Sequence, residues 1–446
     1  MRLRTYINYS FGIMILKINN LKLNLIYFIV ISTLISCNGH EQKDNTITYW
    51  SSNASQEILF SDYFADKWNE QHSQKVVCQP IPEGQSSEEV IMAAVVGRTT
   101  PDIYANMWQG LVELYAKSGV LVPLDTIAGF TDFIRARCGE AVVKEITSAD
   151  GHIYQIPWKM NPFMTIYNEK KMNLLGLDEA PKTYSSYLKA GKDFSKDTDG
   201  DGYVDKWIGD TEVKNIWHQR LNNFYPLYLA ASNGAPLIKD NKAVFNNEYA
   251  IGVFDFLQTL YREGYFAMES NTVGADKFLA GHTATKWTGA WDVSYLERYK
   301  EDDFEYNISH LPVPDNHQGN VFTYADPKNI VLFNTCKDPA LAWEFIKTLI
   351  DESGDLKFIE ISGQIPRRQN LKDNEVFQLF LEQNPKIVPF IDQANYVYGT
   401  DNCEVLIEVL DIISQEYESC VIHNKKTPTQ AIADAAHAVD ILLGNF

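Results

Sequence analysis

Ile58, Phe60, Tyr63, Phe64 and Trp68 recur at helical spacing. The pattern predicts an amphipathic helix between two apolar runs, Thr46-Ile-Thr-Tyr-Trp50 and Val76-Val-Cys-Gln-Pro-Ile81, that read as strands. Strand, helix and strand within about 35 residues make a βαβ unit, which implies a parallel sheet and a right-handed crossover. The same order recurs with a helix around 86–97 and a strand at Asp102-Ile-Tyr-Ala105. From about residue 158 the pattern turns more helical and more aromatic. Asn246 to Arg262 is an amphipathic helix carrying Phe254, Leu257, Leu260 and Tyr261 on one face. Thr427-Pro-Thr-Gln430 reads as a helix start, with Thr as cap, Pro first and Gln three residues on; Ala431 to Leu443 follows as the helix. The segment ending near Gly281 reads as the end of a helix, and Trp287 as part of a strand. No internal repeat is present. This is an α/β chain, and such folds place ligands at the carboxyl ends of strands or between lobes.

Hydrophobic residues make up 45% of the chain and charged residues 22%, which predicts a packed globular body. The amino terminus stands apart. Leu23 to Ser36 is an apolar run preceded by Lys17 and Lys22, the charge order of a secretory signal. It ends in Leu34-Ile-Ser-Cys37, which resembles the bacterial lipoprotein signal. That resemblance implies removal of 1–36 and lipidation of Cys37, with 37–45 as a polar tether; a plain signal anchor with an incidental cysteine is the alternative. Met14 is an alternative start. Without 1–36 the chain has 35 basic and 58 acidic residues, a charge of −23. Such a surface argues against nucleic acid or anionic lipid as the main partner. Anchoring would fall to the lipid. The other five cysteines show no CxxC spacing, name no disulfide pair and indicate no zinc site.

The chain carries no GxSxG, HExxH or GxGxxG constellation and no phosphate-cradling glycine loop. Instead, a series of segments follows in fixed order. Pro101-Asp-Ile-Tyr-Ala-Asn-Met-Trp-Gln109 comes first, with Ala116-Lys-Ser-Gly-Val-Leu-Val-Pro-Leu124. Gly151-His-Ile-Tyr-Gln-Ile-Pro157 follows, running to Ile166-Tyr-Asn-Glu169. Then come Phe278-x-x-Gly281-x-x-Ala284 with Gly289-Ala-Trp291, and finally Asp338-Pro-Ala-Leu-Ala-Trp-Glu-Phe345 with Ser362-Gly-Gln-Ile-Pro366. At these residues the chain resembles the extracellular solute-binding proteins of the maltose/multiple-sugar type, over about residues 46–443.

The resemblance implies a class II periplasmic-binding-protein fold: two α/β lobes joined by a hinge, closing on a ligand in the cleft. It implies lobe 1 at 46–157 plus about 326–383, and lobe 2 at 158–325 plus about 384–446. It implies a monomer that captures a carbohydrate outside the cytoplasm, expected to be an oligosaccharide given the aromatic supply, and delivers it to the permease of an ABC importer, without catalysis. An envelope polysaccharide-processing enzyme, a same-fold receptor that loads a sensor, and a charged ligand in place of a sugar are the alternatives.

Residue by residue, Trp291 matches the family's stacking tryptophan; core sealing is the other reading, and packing is the reading for Trp287. Asn161 and Trp158 follow Pro157 where the family places ligand or hinge contacts. Asn106, Trp108 and Gln109 fall at a strand's carboxyl end facing the cleft. Ser51, Ser52 and Asn53 follow the first strand, as ligand contacts or as a helix cap. Tyr225 resembles an aromatic contact. Asp326 and Lys328 stand where many relatives have paired glycines, which puts charge at the cleft rim and leaves the ligand type open.

A last pattern lies apart from these. Asp197, Asp199, Asp201 and Asp205 occupy positions 1, 3, 5 and 9 of an EF-hand-like loop, with Gly202 at 6 and the Tyr203 carbonyl at 7. Ile208 replaces the usual glutamate at position 12. The loop reads either as a structural calcium site or as a solvated Asp/Gly turn.

Overall fold

The computed structural model describes residues 46–82, 86–268 and 276–445; the apolar run at 23–36, Cys37 and the 38–45 segment lie outside them. The first lobe opens with β1 (Thr46–Ser51), β2 (Lys75–Pro80) and β3 (Ile103–Trp108), joined by helices Ser55–Gln71 and Ser87–Gly97. β1 and β3 pair in parallel, Tyr49 opposite Ile103. On the first helix Phe60, Phe64 and Trp68 are buried, whereas Tyr63 is 45% exposed. The i, i+4 line faces the sheet, and Tyr63 sits at its flank, edge-on to Phe64 at 5.1 Å.

β4 (Ile156–Met160) joins the same sheet, and the chain then crosses through Asn161–Phe163 into β5 (Met164–Asn168) of the second lobe. β6 (Ile238–Lys239) and β7 (Lys242–Ala243) form a short hairpin. β8 (Thr285–Thr288) and β9 (Tyr306–Ser309) flank β5, both antiparallel to it. From β10 (Thr323–Tyr324) the chain crosses back into β11 (Lys328–Leu332), which lies between β3 and β4. β12 (Ile365–Pro366) closes the far edge against β4, and β13 (Val397–Tyr398) pairs with β10. The first lobe's sheet thus has the order β12-β4-β11-β3-β1-β2, and the second lobe's main sheet the order β8-β5-β9. This is the class II arrangement of two α/β lobes. Both lie within one compact unit, Ile47–Phe446.

The caps explain why helices start where they do. Thr427 accepts from the Gln430 N–H and starts helix Pro428–Leu443. Asn247 accepts from Tyr249 and Ala250 and starts Glu248–Arg262; Asp338 accepts from Leu341 and starts Pro339–Ile350. One expectation needs correction. Residues 277–281 form turns, not a helix end, because Asp276 Oδ1 takes the Phe278 and Leu279 N–H groups. The helix in this region starts at Trp291. Helix Glu375–Gln383 packs toward both lobes: Phe377 and Leu381 share one cluster with Met164 and Ile166 of β5 and with Ile359 and Ile365 of lobe 1.

Two of the three crossings run side by side. The Asn161 N–H donates to the Ala325 carbonyl at 2.5 Å and the Phe163 N–H to the Tyr324 carbonyl at 2.9 Å. Asp326 follows with φ +41°, in the left-handed region that glycine normally fills. Beneath the hinge, the Arg137 guanidinium grips Asp355 with two bonds, 2.7 and 2.9 Å. It also donates to the Pro157 and Trp158 carbonyls, and Arg368 donates to Asp355. Arg137 and Asp355 are 1% and 0% exposed, so their charges depend on partners within the protein. Among the described residues no helix is long and apolar enough to cross a membrane, and Cys78, Cys138, Cys336, Cys403 and Cys420 are free thiols.

Candidate ligand-binding cleft

β8 ends at Thr288, Gly289 and Ala290 turn the chain, and Trp291 opens helix Trp291–Tyr299. The glycine is required here. A Cβ on Gly289 would lie 2.2 Å from the Trp291 ring, so only a hydrogen leaves the indole its place. The ring meets Phe163 edge-on at 5.4 Å and lines a cavity of about 430 Å³. That volume lies within the range of small-ligand sites.

The rest of the wall is charged and amide-rich. Asp210, Glu212, Gln219, Asn222, Asn223, Asp276, Lys277 and Lys286 line it with Trp287 and Tyr295. Lys286 stands between Asp276 and Asp292, 2.7 Å from each. Burial raises the Asp276 carboxyl, but Lys286 and two backbone N–H groups outweigh it and hold the acid below its ordinary value. Asp210, with Lys277 at 3.5 Å, is left above its ordinary value by burial. Trp287 packs against Tyr187 at 5.5 Å and Phe266 at 5.2 Å, as expected of a strand residue, yet its edge also borders the cavity. Its Nε1 has no protein acceptor, and the buried Asn223 Oδ1 has no donor.

A second cavity of about 270 Å³ adjoins the first through Asn222 of helix Trp217–Asn223. Ser86, Ser87, Glu88 and Trp108 border it from lobe 1, Trp217 and His218 from lobe 2, and Asp326 and Lys328 from the crossing. Trp108 is only 1% exposed and lies at 4.8 Å from Trp217. Its Nε1 donates to the Tyr324 hydroxyl, which donates to Asp326, both at 3.1 Å. Lys328 completes the chain, 3.6 Å from Asp326 and 3.5 Å from Glu88. Burial holds His218 below its ordinary value despite the nearby Glu88.

The structure therefore brings Trp291, Trp108 and Asp326 to the cleft and moves the other candidates out of it. Trp158 is 0% exposed, a core residue between Phe60 and Phe358, because β4 is an inner strand covered on that face by helices. Tyr225 is 2% exposed and packs on Tyr324. Asn161 is buried and donates to Gln364 at 3.0 Å, within a network where Glu57 is held by Lys159, Gln364 and Ser52. Gln109 is buried and donates to Glu145 at 3.3 Å. Asn106 lies outside both cavities, at the irregular step of β3 against β11. Asn53 is exposed on a bend; Ser52 takes the Ala54 N–H, and the helix that follows has Ala54 as its cap residue, with no side-chain cap. Phe163, Asp210, Glu212, Lys286, Asn222 and Trp217 were not foreseen. They come from separate segments, and no spacing connects them.

In the Asp-rich loop, the carboxylates of Asp197, Asp199 and Asp205 approach within 4.8 Å of one another. Asp197 also accepts the Gly200 and Gly202 N–H groups, which hold it below its ordinary value. Asp201 stands outside this group and accepts from the Tyr203 N–H.

The sequence profile of bacterial extracellular solute-binding proteins matches residues 64–387. Diacetylchitobiose binding protein DasA of Streptomyces coelicolor is 22% identical over 342 residues, 74% of this chain and 75% of the relative. An uncharacterized Listeria monocytogenes protein superposes with a TM-score of 0.75 at 26% identity, covering 89% of this chain and 99% of the other. The cyclic alpha-maltosyl-1,6-maltose binding protein of Arthrobacter globiformis gives 0.73 at 20% identity, with 90% and 99% covered. With its two-lobed fold and a profile match over most of its length, this chain belongs to the bacterial extracellular solute-binding proteins.

Proposed function

We propose that this protein captures a carbohydrate in the cleft, by closure of its lobes, and passes it unchanged to an ABC importer. It does so from outside the cytoplasmic membrane, as a monomer held by lipid on Cys37. One observation carries the reading. The Trp291 ring lines a cavity whose wall also carries the amides of Gln219, Asn222 and Asn223 and the acids Asp210 and Glu212. A sugar offers an apolar C–H face to an indole and hydroxyls that both accept and donate. Amides and carboxylates along the wall can donate to and accept from such hydroxyls, and a polar group left unmatched on burial costs roughly 1–3 kcal/mol. The pairing of Asp326, Lys328 and Glu88 within the protein favours a neutral ligand over a charged one.

Thermal unfolding in the presence of saccharides tests this. A true ligand at 100 times its dissociation constant adds about 2.7 kcal/mol of stability. A panel of di- to hexasaccharides that leaves the midpoint unmoved refutes the reading.

The Asp197–Asp205 loop we assign to calcium in a structural role, on its spacing and on the convergence of three of its carboxylates. On chelator-stripped protein, millimolar calcium is expected to release measurable heat and raise the melting point. Asp199→Ala is expected to abolish both, and no heat from the unmodified protein removes the assignment.

A further inference from the structure

Helix Trp291–Tyr299 carries three aromatic residues at i, i+4 and i+8: Trp291, Tyr295 and Tyr299. Residues four apart lie on one helical face, about 6 Å apart along the axis. The first two line the cavity. Tyr295 is 37% exposed and Tyr299 60% exposed. Their rings lie 4.9 Å apart at 50°, so each leaves a face to water. Arg298, one turn from Tyr295 on the same side, is exposed as well. On the opposite side of the helix Val293 and Leu296 are buried in the lobe 2 core, which fixes the aromatic row in space.

We propose that this row is a track for the outer end of a linear oligosaccharide whose first ring sits on Trp291. The inference rests on the carbohydrate reading of the cavity. The track begins inside the cleft at Trp291, shares Tyr295 with its wall, and continues outside it at Tyr299. Exposed aromatic rings in a row, spaced by a helical turn, suit successive sugar rings, whose apolar faces need cover and whose hydroxyls stay in water. Arg298 supplies donors beside them. The cavity alone would hold a short saccharide; the track selects for chain length.

The test is titration calorimetry on the full mature protein with two probe ladders, malto-oligosaccharides and N-acetylglucosamine oligomers, each from dimer to hexamer. For the binding ladder, affinity is expected to rise with length. Tyr299→Ala is expected to lose about three- to tenfold on the hexamer, the size of one aromatic contact, with no change on the dimer. Tyr299→Phe keeps the ring and is expected to match the unmodified protein. Tyr295→Ala is expected to weaken every length. Because Tyr299 is exposed, the melting point of its alanine variant serves as a folding control and is expected to stay put. Affinity that does not change with length, or a Tyr299→Ala variant that binds the hexamer normally, overturns the track alone. Binding of neither ladder to the unmodified protein overturns the carbohydrate reading and the track with it.

Discussion

Trp291→Ala is expected to lower saccharide affinity at least ~100-fold, a loss of about 3 kcal/mol, because central aromatic anchors carry most of the energy at a binding site. The unliganded protein should lose only about 1 kcal/mol. The ring touches Phe163 edge-on and lines the cavity on its other side, so truncation enlarges a space already open to solvent. Trp158 provides the contrast. It is sealed between Phe60 and Phe358, and its alanine variant should lose about 3–5 kcal/mol with or without ligand. Gly289→Ala should imitate the loss of Trp291, since the new methyl group would occupy the space of the ring. Paired titrations and urea denaturations decide the matter. If Trp291→Ala unfolds as readily as Trp158→Ala, the ring seals a core and the reading of the cavity fails.

Asp355→Ala is expected to destabilise the protein by about 3–5 kcal/mol. The loss comes mainly from what remains. Arg137 is 1% exposed and would keep a buried positive charge whose nearest acid is gone. Arg368, which also donates to Asp355, would keep Glu352 at 3.9 Å and the Ile350 carbonyl at 3.2 Å. Arg137→Met combined with Asp355→Leu should recover much of the difference, because neither charge then needs a partner. The urea midpoint reads the effect directly. A shift of the single variant below about 1 kcal/mol would show that water reaches the pair and that the bond is not holding β4 to helix Glu352–Ser362.

Much of the fold could be read along the chain because the signals are local. Thr427, Asn247 and Asp338 each cap the helix they precede. The strand–helix–strand opening produced β1, its helix and β2 nearly at the predicted bounds. The cleft was only partly legible. Trp291 and Trp158 look alike in sequence, each an indole within two residues of a turn-prone one, Gly289 and Pro157. Their fates differ because β4 lies inside a six-stranded sheet, while Trp291 starts a helix at the end of a three-stranded one. Neither fact is local. Lys286, Asp210 and Asn222 were missed for the same reason: each is ordinary within its own segment, and only the tertiary arrangement lines them along one wall. Asn161 and Gln109 show why a polar residue near a crossing is ambiguous in sequence: each donates its amide nitrogen to a neighbouring side chain, while its amide oxygen has no partner within the protein.

The paired crossings have a mechanical consequence. Asn161 and Phe163 are bonded through their backbones to Ala325 and Tyr324, so the two connectors bend together as a single ribbon. Two independent tethers would permit twist as well as swing. The second of them is also bonded to the β13 segment, Thr323 N–H to the Tyr396 carbonyl and Ala325 N–H to the Tyr398 carbonyl, so the joined strands resist twist and favour swing about an axis across their width. Under such a swing, a ligand would meet the opposing walls in nearly the same register each time.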